Sequence, residues 1–128
     1  MSIKEMKNLY DKAHTAGMKA LHSAVPTPMV VGEETFPFSG EIDLTKRLYH
    51  LPEGPCGFAW INIKPGNSRF ARFLKENELA RPDSYYGGVT VWVRYGDQSI
   101  ELKEAYAGAF AKVLQEAGVR AYAQSRLD

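Results

Sequence analysis

Eight residues near the middle of the chain, Cys56 to Ile63, are apolar on both faces of an extended strand. Cys56, Phe58 and Trp60 fall on one side and Ala59, Ile61 and Ile63 on the other, the pattern of a central strand covered from above and below. Such a strand needs neighbours on both edges. The residues that follow supply them. Asn67 or Ser68 caps a helix with apolar positions Phe70, Phe73 and Leu74 that ends before Pro82. Val89 to Tyr95 then sets Val89, Val91 and Val93 against Thr90, Trp92 and Arg94, a strand with one face more solvated than the other. Asp97-Gln-Ser opens the longest helix, whose stripe is Leu102, Ala105, Tyr106, Ala109, Phe110, Val113, Leu114 and Ala117, with Gly118 at the left-handed C′ position. Val119 to Arg126 alternates at period two as a last strand, with Val119, Ala121 and Ala123 inward. The order is β-α-β-α-β, and helical crossovers favour parallel neighbours. The expected fold is α/β, with α+β as the alternative, in a single domain spanning 1–128.

Ahead of this core, Ile3, Met6, Tyr10, Ala13, Gly17, Ala20, Leu21 and Ala24 recur at helical spacing while Lys4, Lys7, Asp11, Lys12 and Lys19 fall elsewhere. Ala13, Ala16, Gly17 and Ala20 make a small-residue stripe. Another backbone can approach it closely, either a helix of the same chain or a second copy, which makes a homo-oligomer one expectation. Pro26 and Pro28 end the helix. Between them and Pro55, Met29-Val-Val and Arg47 to Leu51 read as short strands, an antiparallel pair or edge strands on the sheet.

Sixteen Lys and Arg against fifteen Asp and Glu give a net charge of +1, which argues against a nucleic-acid or membrane-surface partner. Cys56 is the only cysteine, so no intrachain disulfide or cysteine-cluster metal site can form. No apolar run reaches the roughly 18 residues of a membrane span, and a soluble cytoplasmic protein is expected. No cofactor is implied.

The clearest local site is Lys64-Pro-Gly-Asn-Ser-Arg, where a strand runs through a glycine turn into a helix start. Free amides at a helix N-terminus favour an anion, and ligands of parallel sheets sit beyond the carboxyl ends of strands. Lys64, Asn67, Ser68 and Arg69 are therefore candidates to hold a phosphate or carboxylate. The plain alternative is a capped turn. In a parallel sheet, Arg94, Asp97 and Gln98 at the next strand end would open on the same edge, with Tyr85, Tyr86 or Tyr95 to stack on a ring. Cys56 with His14, His22 or His50 forms no recognisable triad, because a small buried thiol is the usual occupant of a strand start. Glu33 with Glu34, and Glu101 with Glu104, read as solvated pairs. Arg69, Arg72, Lys75 and Arg81 form a thin basic line broken by Glu76 and Glu78, to which Arg120, Tyr122 and Arg126 add if the last strand lies nearby.

The runs Gly57 to Leu74, Tyr86 to Val93, Lys103 to Leu114 and Ala121 to Asp128, with Pro26 to Val31, resemble small uncharacterised proteins encoded by tailed bacteriophages. The resemblance implies a viral protein working in a bacterial host and carries no activity onto any residue. The reading that results is an accessory binding protein whose partner is a host protein or a small anionic, nucleotide-like ligand. One alternative is a hydrolase or transferase acting on a phosphorylated molecule, with Asp97 and His50 the first candidates for its base. The other is a nucleic-acid binder.

Overall fold

A computed structural model describes residues 1–24 and 56–128 in full and, of the rest, the backbone of 29–32 and 48–51. The element order is α1 (Ile3–Ser23), β1 (Met29–Gly32), β2 (Leu48–Leu51), β3 (Gly57–Lys64), α2 (Arg69–Glu76), β4 (Arg81–Pro82), β5 (Val89–Trp92), α3 (Ile100–Glu116) and β6 (Arg120–Leu127). The doubly apolar segment is β3, and it is central. β6 pairs with its whole length, Gly57 opposite Leu127 through Lys64 opposite Arg120, and β5 pairs on its other edge from Trp60–Trp92 to Ile63–Val89.

Every pairing in this four-stranded sheet, ordered β4-β5-β3-β6, is antiparallel. The expected parallel neighbours are therefore replaced by an α+β arrangement. The crossover rule itself survives in a split form: α3 joins β5 to the parallel β6, but β3 is inserted between them, and β5 likewise separates β3 from β4. The two short strands of the N-terminal half do form an antiparallel pair, Met29 opposite Leu51 through Gly32 opposite Leu48. Pro26, Pro28, Glu33 and Glu34 lie outside the described residues, and His50 is described by its backbone alone.

Alternation sorts the sheet into two unlike faces. Ala59, Ile61, Ile63, Val89, Val91, Val93 and Ala121 are buried in one core with Phe70, Ala71, Phe73 and Leu74 of α2 and Tyr106, Ala107, Phe110, Ala111 and Leu114 of α3. The buried stripe of α3 keeps Tyr106, Phe110 and Leu114 of the expected one and extends to Ile100, Lys103, Ala107 and Ala111, so that these two alanines rather than Ala105 and Ala109 lie in the core. Ala123 is exposed because β6 is an edge strand and only Ala121 reaches the core. Ser2, Ser68 and Ser99 cap the three helices through hydroxyls that accept from Glu5, Ala71 and Leu102 amides.

The small-residue stripe of α1 meets α3 of the same chain. Met6, Ala13 and Gly17 are its buried residues, and a Cβ at Gly17 would come within 2.7 Å of the Tyr106 ring. The Tyr106 hydroxyl shares a 2.6 Å hydrogen bond with His14 Nδ1, and the Tyr95 ring lies tilted with its centroid 5.3 Å from both rings. Desolvation in this cluster pushes the Tyr106 hydroxyl far above its ordinary pKa, with Tyr10 and Tyr95 adding to the shift. The histidine is thus tied into a structural contact between α1 and α3.

Two glycine substitutions separate packing from backbone entropy. Gly17→Ala forces a methyl into the Tyr106 ring and is expected to lower stability by about 1–3 kcal/mol. Gly108→Ala, in α3 with nothing within 4 Å of the added Cβ, is expected to raise it by about 0.5–1 kcal/mol. Urea denaturation followed by circular dichroism measures both, and a neutral Gly17→Ala would show that α1 does not sit against α3 this closely.

Candidate functional site

The face of the sheet turned away from the core carries aromatic and basic side chains in rows set by the register. Direct antiparallel partners share a face, so Arg126 lies beside Phe58, Gln124 and Trp92 flank Trp60, Tyr122 and Thr90 flank Asn62, and Arg120 lies opposite Lys64. On the opposite parity, Ser125 turns back and donates to Glu104 of α3 at 2.6 Å. Trp60 and Trp92 have ring centroids 5.2 Å apart, and the Arg126 guanidinium stands 5.5 Å over the Phe58 ring. A cross-strand ring pair of this kind contributes about 0.5–1.5 kcal/mol beyond area burial. Trp92, Tyr86, Tyr122 and Phe58 nonetheless remain 45, 46, 42 and 38% exposed.

A tight loop after β4 completes one side of this face. The Asp83 carboxylate accepts from the Tyr85 and Tyr86 amides at 2.9 and 2.8 Å through one oxygen and from the Thr90 hydroxyl at 2.7 Å through the other. Asn62 donates to the Gly87 carbonyl at 2.8 Å. Gly88 has a φ of +67° and passes so close to β3 that a Cβ there would stand 2.2 Å from the Ile63 carbonyl oxygen, which only glycine permits. The loop thereby sets Tyr86 at 6.3 Å from Trp60. Trp60, Trp92, Tyr85, Tyr86, Asp83 and Arg126 enclose a hollow of about 380 Å³, within the range of small-ligand sites. The Asp83 carboxyl is held below its ordinary pKa, first by the Thr90 hydroxyl and then by the Tyr86 amide.

The residues singled out in the sequence do not form one site. Lys64, Asn67, Ser68 and Arg69 stand at the end of β3 and the start of α2, where Ser68 caps the helix and Arg69 lines a separate hollow with Arg72, Glu76 and Ile3. Arg94, Asp97 and Gln98 follow the far end of β5, where the Gln98 carbonyl accepts from Gly57 at the other end of β3. Antiparallel pairing is the reason: consecutive crossovers leave these turns at opposite ends of the sheet. The two helix starts do not converge. Tyr85 and Tyr86 of the stacking candidates, and Arg126 of the basic line, lie in the aromatic hollow, and Lys64 lies on the same face beside Arg120. Cys56 is exposed rather than buried. Among the described residues no three His, Cys, Asp or Glu side chains are grouped to hold a metal ion, and no helix is long and apolar enough to cross a membrane.

Trp60, Trp92, Asn62 and Asp83 had no place in the sequence-based site. The signal that could have found the first two is parity: each large ring shares its strand face with polar or basic residues, Trp60 with Asn62 and Lys64 and Trp92 with Thr90 and Arg94. Compared with protein-family models, curated proteins and solved structures, the chain matches none.

Asp83→Ala should free the Tyr85–Tyr86 loop and lower the melting temperature at neutral pH. Because the folded-state pKa is depressed, this contribution is fully present above the unfolded carboxyl value of about 3.9 and disappears as pH falls through the lower folded value. Melting curves of the wild type and Asp83→Ala should therefore converge in acid. A gap that stays constant down to that range would mean that the carboxylate does not hold the loop.

Proposed function

We propose that the chain is a binding protein whose ligand offers a flat ring and a negative charge, taken on the solvent face of the sheet around Trp60, Trp92, Tyr86 and Arg126. The observation that carries this reading is the concentration of exposed rings. Of the six exposed aromatic side chains among the described residues, Phe58, Tyr85, Tyr86, Trp92 and Tyr122 lie on or beside this one face, and only Tyr95 lies elsewhere. Exposed aromatic surface gathered in a hollow with a cation at its edge is the ordinary form of a site for a ring-bearing anion. The nucleotide-like ligand expected from the sequence keeps its chemistry and changes its place, from the helix starts to the open sheet. The resemblance to phage-encoded proteins supports a bacterial host as the setting in which such a ligand is met.

Tryptophan fluorescence of the purified chain, titrated with a nucleoside monophosphate, tests this directly. Quenching is expected, with Trp92→Ala weakening binding about fivefold or more, the loss of one aromatic stacking contact. Arg69→Ala, in a different hollow, should bind as the wild type does. The opposite pattern, with Arg69→Ala abolishing binding and Trp92→Ala leaving it intact, would return the site to the start of α2.

A further inference from the structure

We infer that the ligand of this face is single-stranded nucleic acid, bound along β6 and β3 by stacking and phosphate contacts with little preference for sequence. The inference rests on the binding reading above and names the class of molecule.

Its first support is length. Arg126 and Arg120 are six residues apart on β6 and share the open face with Lys64, so the cations span roughly 20 Å at a strand's rise of about 3.3 Å per residue. One mononucleotide cannot reach both ends, whereas a chain with several phosphates can. The exposed ring of Tyr122 and that of Trp92, which lies opposite the buried Trp60, fall in the interval, and Phe58 stands beside Arg126 at one end.

The second support is an unfavourable contact. Lys64 and Arg120 are direct cross-strand partners, and like charges placed opposite each other destabilise a sheet unless an anion lies between them. A phosphate there relieves the repulsion. Asp83, the carboxylate that lines the aromatic hollow, offsets part of the Lys64 charge, which helps to hold its carboxyl ionised, but its oxygens already accept from two amides and a hydroxyl.

The third support sets the mode of recognition. Asn62 and Thr90 hold the loop through Gly87 and Asp83, which leaves Gln124 as the polar side chain beside Trp60 for a base edge. Stacking on rings tolerates every base, while sequence readout needs several directed hydrogen bonds. A duplex keeps its bases stacked on one another and offers such a face only edges and backbone.

The test uses the full chain and fluorescein-labelled oligothymidylate and oligouridylate of about ten nucleotides, the size range of single-strand sites, with thymidine monophosphate and a labelled duplex as comparisons. The oligomers should bind about 100-fold more tightly than the mononucleotide, through contacts linked in one ligand. The logarithm of affinity should fall with the logarithm of salt at a slope near −2, from three cations at about 0.7 each on a single strand. Trp92→Ala should weaken binding about tenfold or more, and Trp92→Phe should restore most of it. Arg120→Ala should reduce the slope by about 0.7. Equal affinity for mononucleotide and oligomer with no salt slope would overturn the inference and leave the ring-and-anion reading standing. Equal binding of duplex and single strand would also overturn it. Absence of any binding, with a dimer in sedimentation that Trp92→Arg dissociates, would sink both readings and assign the face to a second copy of the chain.

Discussion

The insertion of β3 between two antiparallel neighbours is the constraint on which the rest depends. β6 covers one edge along all eight residues and β5 the other along four, so the central backbone groups are paired without a parallel neighbour. Because each helical crossover must then step over a strand, α2 and α3 both contribute to one core on one face. The other face carries Phe58, Trp60, Asn62 and Lys64 with no described helix over it. A single choice of pairing thus decides where the core lies and which side chains fall on the other face of the sheet.

Each face is then maintained by a different kind of contact. On the covered side, small residues do the positioning: Gly17 lets the Tyr106 ring approach α1, and Ala107 and Ala111 are buried where α3 joins the core. On the open side, polar groups do it. Asp83, Asn62 and Thr90 hold the loop that brings Tyr86 against Trp60. Asn62 and Thr90 are buried beneath this loop, and with Asp83 they bond to the protein itself. A platform of rings needs such support, since exposed aromatic side chains without it lose their fixed geometry.

Charge shows how an average conceals a local arrangement. A balance of +1 across 128 residues argues against a polyanion partner only while the charges are evenly spread. Register gathers Lys64, Arg120 and Arg126 on one face, with Asp83 as the carboxylate of its loop, and turns Ser125 to the other face, toward Glu104 of α3. The net charge of the chain and the charge of this surface are therefore different quantities.

Residue pattern left the caps at Asn67 or Ser68 and at Asp97 to Ser99 open, offered an antiparallel pair at Met29–Gly32 and Leu48–Leu51 as one of two arrangements, and missed the two-residue β4. It was enough by itself for the period of each helix, Gly118 after α3 with its φ of +85° and the alternation of β5. These depend on local sterics, capping and hydrophobic period, all written within a dozen residues. The centrality of β3 was legible too, from its two apolar faces. The direction of its neighbours was not. Parallel and antiparallel pairing place the same alternation on the same faces, and a helix between two strands says nothing of a third strand inserted between them. Only the tertiary structure decided that Lys64 and Arg94 stand at opposite ends of the sheet, that Phe58 is exposed while Trp60 is buried against Trp92 and Tyr86 rather than under a described helix, and that Trp92 of β5 shares one surface with Tyr122 and Arg126 of β6. Such contacts are set by pairing between distant segments, which no local pattern encodes.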